Sequence, residues 1–296
     1  MRELMSTREV ADYLRLKERK IYDLVATGVI PHSRISGKLL FPRALIDEWV
    51  RRGMSGTMVV PSRNVPAVIA GSHDPLLEWA VRESRCGLAT MTYGSLDGLD
   101  RLLSGTACAA AIHLPPDAIA SNHDSNVRLA QDRLAHLDCV LLRWATREQG
   151  LVLARGNPLK IRAIEDLKKQ RTRVIVRQQG AGSQLLFLQL LKNAGIDPNR
   201  LRYAAAPAQT ESEVAAAILD DRADAGLAVR AVARQFQLEF VPLTTESLDI
   251  AVLRASFFDP PLQALFEFAR RPAFVKHART LAGYDISKLG QVQWNA

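Results

Sequence analysis

Apolar positions near the start of the chain recur with helical spacing. The segment Ser6-Thr7-Arg8-Glu9 is a capping box, in which a serine hydroxyl and a glutamate three residues later satisfy free backbone N–H groups of a first turn. It predicts one helix, and an amphipathic run from Glu18 to Ala26, with Gly28 just beyond, predicts a second. The positions of these helices predicted to face a core are Val10, Ala11, Leu14, Ile21, Leu24 and Val25.

Two short extended segments follow the second helix. Residues 32–35 and 39–41 are joined by Ser36-Gly37-Lys38, which favours a tight turn and therefore a β-hairpin. Pro42 is predicted to open a third helix, because proline fits the first helical turn. The residues of this helix expected to cover the core are Leu45, Ile46 and Trp49.

From residue 66 onward, strand-like and helix-like runs alternate. Short apolar runs at 67–70, 88–92 and 107–114 predict three strands, and two separate extended runs are expected at 139–145 and 150–154. The alternation predicts α/β layers around a mostly parallel sheet. Further extended runs are expected at 173–176, 201–204, 224–227 and 250–253, with helices that end at Asn193 and that start near Thr210, Pro261 and Pro272.

The N-terminal order of helix, turn, helix, hairpin and helix resembles the winged helix-turn-helix of excisionase-like and mercury-resistance-regulator-like DNA-binding domains. The resemblance covers residues 1–52 and is carried by segment 5–14, by segments 20–22 and 28–31, and by Phe41-Pro42 before Asp47-Glu48-Trp49. It implies that the second helix enters the DNA major groove while the hairpin, the wing, contacts the backbone or the minor groove. A small helical module that contacts protein is the alternative. The DNA-binding residues implied are Lys17, Arg19, Lys20 and Tyr22 on the helix, with Arg34 and Lys38 on the wing.

Residues 66 to about 290 resemble a type II periplasmic-binding-protein fold, and more narrowly the molybdate-binding-protein-like domain fused to bacterial regulators. This resemblance implies a ligand cleft between lobe 1, at about 66–148 and 248–296, and lobe 2, at about 149–247. Residues 53–65, rich in Gly, Ser and Pro, are predicted to link the DNA-binding domain at 1–52 to the ligand-sensing domain at 66–296. The matching segments are 71–77, 94–99, 111–114, 149–152, 156–158, 177–183 and 222–227.

Three predicted strand-to-helix junctions carry glycine and serine together, at Gly71-Ser72, Gly94-Ser95 and Gly182-Ser183. A helix N-terminus offers unpaired N–H groups, glycine lets an anion approach the backbone, and a serine hydroxyl adds a neutral donor. Three such ends across one cleft would hold a tetrahedral oxyanion, and the resemblance to molybdate and tungstate binders implies the same donors. The predicted ligand-binding residues are Ser72, Gly94, Ser95, Ala181, Gly182 and Ser183, with Tyr93, His113, Arg177 and Thr210 as secondary contacts.

Plainer interpretations exist for the same positions. Each serine is also explained by a helix cap alone, and His113 by an ordinary core or rim position at the end of an apolar strand. Gln184 follows Ser183 where the family pattern implies a basic residue, so the lobe 2 side of the pocket differs from that pattern in charge.

Catalytic motifs are weak in this chain. Ser72-His73-Asp74 contains the residue types of a hydrolase triad, but adjacent residues cannot converge in space as that chemistry requires. The segment from Gly180 lacks the third glycine of a dinucleotide fingerprint, because Leu185 stands there. His and Cys do not cluster at zinc spacing. We therefore expect no enzyme, no cofactor and no bare metal cation.

Composition and charge add two constraints. The 296 residues include 39 Lys and Arg against 31 Asp and Glu, a net charge of +8, and 48% hydrophobic residues, which is typical of a globular protein. The first 63 residues hold 12 of the basic and 7 of the acidic residues, so the excess lies where DNA contact is expected. Cys86, Cys108 and Cys139 fit no disulfide framework and are expected to be buried.

The sequence contains no apolar run of about 18 residues and no secretory signal, so a cytoplasmic location is expected. The combined prediction is a one-component transcription regulator, a homodimer that binds a double-stranded DNA operator and senses a small oxyanion, first of all molybdate or tungstate. Two alternatives stay open: an effector that is another small anion or an organic metabolite, and a cytoplasmic ligand-binding module without DNA binding. Operator sequence and repressor or activator action are not predicted.

Overall fold

The computed structural model describes residues 4–35, 37–52, 65–114, 125–169 and 172–296. The chain folds as two compact units, Met1–Thr57 and Met58–Ala296. The predicted linker at 53–65 lies, apart from its last residue, outside the described residues, as does Ser36 of the predicted turn.

The N-terminal unit is a helical module with a three-stranded antiparallel sheet in the order β1-β3-β2. The first helix carries the predicted capping box, since the Ser6 hydroxyl accepts from the N–H of Glu9 and the Glu9 carboxylate accepts from the N–H of Ser6. The second helix spans the predicted residues, so both are confirmed. The elements are β1 (Leu4–Met5), α1 (Thr7–Leu14), α2 (Glu18–Ala26), β2 (Ser33–Ile35), β3 (Lys38–Pro42) and α3 (Arg43–Arg52).

Two local predictions for this unit are wrong. Pro42 ends β3 instead of opening the third helix, which starts one residue later. Leu45 is 52% exposed and does not cover the core, whereas Ile46 is buried, because the side of α3 that packs inward is narrower than its apolar pattern suggests. The buried core residues are Met5, Val10, Ala11, Ile21, Ile30, Phe41 and Ile46.

The C-terminal unit is built on one mixed ten-stranded sheet. Its main path runs β5-β4-β6-β11-β7-β10-β8-β9, and β12 and β13 pair with β7. The strands are β4 (Val68–Gly71), β5 (Ala89–Met91), β6 (Ala109–Ile112), β7 (Cys139–Leu153), β8 (Arg173–Ile175), β9 (Arg202–Tyr203), β10 (Ala225–Val229), β11 (Glu239–Leu253), β12 (Tyr284–Asp285) and β13 (Val292–Asn295). The helices are α4 (Pro75–Ser84), α5 (Ser95–Leu103), α6 (Ser125–Leu134), α7 (Gly182–Asn193), α8 (Glu211–Leu219), α9 (Arg230–Gln235), α10 (Arg254–Phe257), α11 (Pro260–Ala269) and α12 (Pro272–Leu281), with 3-10 turns at Ile164–Lys168 and Pro198–Arg200.

The sheet divides into two lobes that share a central ribbon. Strands β4, β5 and β6 are parallel at one end, and β8, β9 and β10 are parallel at the other. Between them, β7 and β11 pair antiparallel. Cys139 lies opposite Leu253 at one end of this ribbon, and Leu153 lies opposite Glu239 at the other. The expected mostly parallel sheet is therefore correct within each lobe and wrong for the ribbon that connects them.

The ribbon also corrects the strand prediction for 139–154. β7 is one continuous strand, although residues 146–149 are polar enough to predict an interruption. Arg147 and Gln149 are fully buried there, and both have buried polar partners. A hydrophobicity pattern misses this strand because its inward-facing positions are charged or polar. The α/β class with two lobes is confirmed.

The lobes have separate apolar cores. Lobe 1 buries Trp144, Phe266 and Phe274 on one face of its sheet, and lobe 2 buries Phe187 and Val232 among its core residues. The three cysteines are free and buried, as expected. Four apolar clusters lie in the described part of this unit, two in each lobe, and Leu281 and Tyr284 pack against one cluster of each lobe.

Candidate functional site

The six predicted DNA-contacting residues lie on the surface of the N-terminal unit. Lys17 is the N-cap of α2, Arg19 and Lys20 occupy its first turn, and Tyr22 is 51% exposed on the same helix. Arg34 and Lys38 lie on the β2-β3 hairpin, where both are exposed. The α2 end and the wing therefore present basic side chains that are available to phosphates.

The first Gly-Ser junction differs from the expected anion site. The N-cap of α4 is Asp74, whose carboxylate accepts from the N–H of Leu77 at 2.8 Å. Ser72 precedes that cap by two residues, and its N–H donates to the carbonyl of Ala111. A carboxylate already occupies this helix N-terminus, so α4 offers no empty anion position.

The other two junctions keep free helix ends. Gly94 is the N-cap of α5 and Ala181 is the N-cap of α7, and neither end has a side-chain cap. Ser95 and Ser183 lie inside the first turns, at 0% and 1% exposure, and cap neither helix. The interpretation of these serines as N-caps alone is therefore excluded.

A chain of short contacts joins these loops across the cleft. The hydroxyls of Ser72 and Ser95 lie 2.8 Å apart, and the Ser95 hydroxyl donates to the carbonyl of His113 at 2.9 Å. A Cβ on Gly182 would lie 2.1 Å from that same carbonyl oxygen, and a Cβ on Gly94 would lie 2.9 Å from the carbonyl oxygen of Gly180. Only glycine allows loops of opposite lobes to approach this closely, so the cleft is closed at this point.

Arg177 lies on the lobe 2 side of this contact and is 6% exposed. Its guanidinium donates to the carbonyls of Ala208 and Gln209, at 3.2 and 2.8 Å, and reaches the Ser183 hydroxyl at 3.5 Å. Within the described ranges it forms no ion pair with a carboxylate. Burial lowers the pKa of Arg177, since removal from water disfavours its charge. Arg177 is thus a basic group on the lobe 2 side, where Gln184 departs from the family pattern, and the Gln184 side-chain oxygen accepts from the backbone N–H of Arg177.

His113 lies between the two lobes and is 3% exposed. Neither ring nitrogen has a hydrogen-bond partner in the described structure, and Nε2 is 3.8 Å from a carboxylate oxygen of Glu246. Burial, and then the positive charges of Arg147 and Arg177, lower the pKa of His113 well below its usual value. His113 is therefore a buried ring at the centre of the closed contact, where its charged form is disfavoured.

Sequence reasoning missed a buried ionic cluster beside this site, centred on Arg147. The guanidinium donates to Glu246 at 2.7 Å and to Asp74 at 2.8 Å, and Glu211 lies 3.8 Å away. Although burial alone lowers the pKa of Arg147, the three carboxylates hold it above its usual value. Tyr284 donates to Asp74 at 2.6 Å, which ties β12 to the cluster. The polar run in 146–149 was the available signal, but its partners are 60 to 140 residues away.

A cavity of about 270 Å³ adjoins the closed contact. Its polar lining includes Ser72 and His73 from lobe 1 and Thr210 and Ser212 from lobe 2. Of the predicted secondary contacts, Thr210 lines this cavity, whereas Tyr93 is 59% exposed with the Arg101 guanidinium 5.6 Å from its ring. The cleft therefore contains a tight polar contact and a wider chamber beside it.

The triad letters at 72–74 do not form a catalytic arrangement. The Ser72 hydroxyl contacts Ser95, the His73 Nε2 contacts Glu78 at 3.1 Å, and the Asp74 carboxylate contacts Arg147 and the N–H of Leu77. Among the described residues, no group of three or more His, Cys, Asp or Glu side chains is arranged to hold a metal ion. In the same part of the chain, no helix is long and apolar enough to cross a membrane.

Comparison with known proteins agrees with this organisation. Residues 4–54 match a helix-turn-helix domain model, and residues 78–270 match the model of the PBP-like family, described as a PBP superfamily domain. A Bacillus subtilis (strain 168) protein described as uncharacterized protein YvgK is 24% identical over 303 residues, covering 96% of each chain.

Two solved structures share the fold. The tungstate ABC transporter from Geobacter sulfurreducens is 16% identical, with a TM-score of 0.50, over 71% of this chain and 95% of its own. A cysteine-to-serine mutant of Corynebacterium glutamicum OxyR, bound to H2O2, is 13% identical, with a TM-score of 0.50, over 94% of this chain and 90% of its own. At these identities the likeness concerns the fold. The matched family model spans most of the chain, which therefore belongs to the PBP-like family and carries a helix-turn-helix domain in front of its two-lobed domain.

Proposed function

We propose that this protein is a one-component transcription regulator that senses a small oxyanion, molybdate or tungstate, in the cleft of its two-lobed domain. The N-terminal unit binds a double-stranded DNA operator, as a homodimer that reads paired half-sites. This role places the protein in the cytoplasm, with the DNA. The observation that carries the proposal is Arg177, a buried cation in the cleft without a carboxylate partner in the described structure.

The electrostatics around Arg177 favour an anionic ligand. Burial of this charge is costly, the carboxylates of Glu211 and Glu213 offset only part of that cost, and an anion that enters beside Arg177 offsets more of it with charge-assisted hydrogen bonds. The free N-termini of α5 and α7 and the hydroxyls of Ser95 and Ser183 lie along the same chain of contacts. They add neutral donors, so a doubly charged tetrahedral anion is held mainly by hydrogen bonds.

Ligand binding acts on DNA through lobe closure. An anion held by α5 of lobe 1 and α7 of lobe 2 binds the closed lobes more tightly than open ones, which shifts the population towards closure. The same free-energy difference then changes the affinity for the operator.

Calorimetric titration with molybdate, tungstate and sulfate tests the ligand assignment. Ser95→Ala and Ser183→Ala are expected to weaken binding of the preferred anion roughly 5- to 13-fold, because each removes one hydrogen bond of about 1 to 1.5 kcal/mol. Ser104→Ala is the matched control, since Ser104 lies at the opposite end of α5 and is exposed. The ligand assignment fails when none of the three anions binds, or when the control weakens binding as much as the two cleft variants.

DNA binding is tested separately by a salt titration. Several phosphate contacts give an affinity that falls steeply with salt concentration. Replacing Arg19 and Lys20 by alanine is expected to abolish sequence-specific binding and to leave anion affinity unchanged. Sequence-specific DNA binding that survives this double substitution contradicts the role given to α2.

One observation favours a second candidate effector, an organic metabolite. The adjoining cavity of about 270 Å³ combines the hydroxyls of Thr90, Thr92, Thr210 and Ser212 and the carboxylates of Asp74 and Glu78 with apolar walls, and is larger than a tetrahedral oxyanion requires. Replacing Thr90 and Thr92 by valine leaves molybdate affinity unchanged if the effector is the inorganic anion. A loss of effector response in that variant favours the organic ligand.

A further inference from the structure

A strongly basic groove of about 640 Å³ lies on the C-terminal unit, outside the cleft loops described above. Its charged lining consists of Arg234 at the end of α9, Arg270 after α11, and Lys276 and Arg279 on α12. All four side chains are exposed. The remaining lining residues are Pro272, Val275 and Thr280, so among the described residues no Asp or Glu side chain lines the groove.

These four cations have no carboxylate partner in the part of the chain that the structure describes. Within the described ranges none of them forms an ion pair, whereas Arg230 on the same α9 is paired with Glu148. Lys276 and Arg279 are three residues apart on one helix, a spacing at which like charges repel. A concave surface lined by one sign of charge concentrates positive potential, which attracts a polyanion.

The groove is also built from both lobes. Its α9 wall is anchored by Ala231, Val232 and Ala233 in a lobe 2 core. Its α12 wall is anchored by Phe274 and Ala278 in the lobe 1 core. A change in lobe closure therefore changes the spacing between Arg234 and the cations on α12.

We infer that this groove binds the phosphate backbone of double-stranded DNA that flanks the site held by the N-terminal unit. The inference rests on the proposed DNA binding of that unit. The two units belong to one chain, so a second DNA contact is intramolecular once the N-terminal unit holds a duplex, which favours DNA over a free polyanion as the occupant.

The groove contributes affinity without sequence preference. Arg and Lys side chains on a surface groove contact phosphates, which position a protein on the duplex but do not specify bases. Because the two walls belong to different lobes, the number of phosphates they contact together depends on lobe closure. The groove thereby links occupancy of the ligand cleft to DNA affinity.

The test uses the full chain and a duplex of about 40 base pairs of arbitrary sequence, titrated at about 50 to 200 mM KCl. Replacing Lys276 and Arg279 by alanine is expected to reduce the slope of log affinity against log salt by about 1.8, or about 0.9 for each phosphate contact. The loss of affinity across that salt range then becomes about 12-fold smaller. The matched control replaces Lys168 and Lys192, two exposed lysines outside the groove, and is expected to keep the wild-type slope.

Equal slopes for the groove variant and the control overturn the inference and leave an acidic protein segment as the groove's partner. The Arg19→Ala, Lys20→Ala variant separates this outcome from the proposed function. If it binds DNA like the wild type while the groove variant loses slope, the role of α2 fails and the groove inference stands. A wild-type chain without affinity for the duplex overturns both. Circular dichroism confirms that each variant is folded.

Discussion

Two buried arginines of the C-terminal unit lie close to the same histidine but have different partners. Arg147, on the central ribbon, donates to the carboxylates of Asp74 and Glu246, whereas Arg177, in lobe 2, donates to carbonyls and reaches a serine hydroxyl. A third buried arginine, Arg143, is paired with Asp249 at 2.5 Å. Arg177 alone of these three forms no ion pair in the described structure, although the charges of Glu211 and Glu213 offset part of the effect of its burial on its pKa.

The difference in partners suggests different roles for these arginines, one in stabilising the fold and the other in binding a ligand. A buried cation surrounded by carboxylates is already compensated, and its removal leaves those carboxylates uncompensated. A buried cation that forms no ion pair keeps more of its burial cost, which an anionic ligand would offset. The comparison supports the proposal that Arg147 holds the lobes and the ribbon together and that Arg177 binds the ligand.

The largest expected effect is on stability. Arg147→Met is expected to destabilise the C-terminal unit by about 3 to 5 kcal/mol, because Asp74 and Glu246 then stay buried without their cation. Urea unfolding followed by tryptophan fluorescence measures this loss. Arg177→Met is expected to lower the free energy of unfolding by less than half as much as Arg147→Met. Equal losses for the two substitutions would contradict the division of roles.

The next effect is on affinity. Arg177→Met is expected to weaken binding of the preferred oxyanion by about 1.5 to 3 kcal/mol, or roughly 10- to 150-fold, since it removes hydrogen bonds from a charged donor. Isothermal titration calorimetry measures it, with Arg177→Lys as the control that keeps a charge but loses the forked geometry. Unchanged affinity in the methionine variant would remove Arg177 from the site.

A pH dependence sharpens the comparison further, since both arginines act on His113. The pKa of His113 is lowered in the folded state, by burial first, so the unfolded chain takes up the proton before the folded chain does. The part of the unfolding free energy that depends on neutral His113 is therefore fully present above the ordinary pKa of 6.5 and is lost as the pH falls below it. The expected slope is about 1.4 kcal/mol per pH unit.

His113→Gln is expected to remove that slope when urea unfolding is repeated between about pH 7 and pH 5. His277→Gln is the control, because burial also lowers the pKa of His277, which is a partly exposed ring stacked on Trp79 at 3.7 Å. A wild-type slope that persists in His113→Gln would show that this ring is not the group that titrates.

The smallest effect concerns the outer edge of the Arg147 cluster. Tyr284→Phe removes the hydroxyl that donates to Asp74 at 2.6 Å, and a loss of about 1 kcal/mol of unfolding free energy is expected. Tyr203→Phe is the matched control, because its hydroxyl donates to the carbonyl of Pro198 in an exposed position. If Tyr284→Phe loses no more unfolding free energy than Tyr203→Phe, the Tyr284 hydroxyl does not stabilise the Arg147 cluster.

How far the sequence predicts each element depends on where the partners of that element lie. Helices α1 and α2 follow from the sequence because the capping box and the apolar stripe act over three or four residues. The middle of β7 cannot be predicted in this way. Arg147 and Gln149 can be buried in a strand only because both donate hydrogen bonds to Glu246, which is distant in the sequence. The exposure of Leu45 was likewise decided by packing, because the apolar pattern of α3 predicts more buried positions than the core accommodates.

The candidate site shows the same division. The sequence placed Ser95, Ser183 and Arg177 among the ligand residues, and the structure brings these residues into the cleft, but it fills the N-terminus of α4 with Asp74. Their role in binding stays a prediction until the titrations are made. Arg147 was not predicted, since its residue type alone does not reveal burial.

By itself, the sequence determined the order of the modules, the capped helices and the basic surface of α2, because each depends on neighbours a few residues apart. Only the tertiary structure decided which buried charges are compensated, which helix ends are free, and where α9 of one lobe faces α12 of the other. Those properties depend on contacts between residues that are far apart in the chain. When such residues pack together they exclude water, and the strength of a charge interaction depends on how much water is excluded around it.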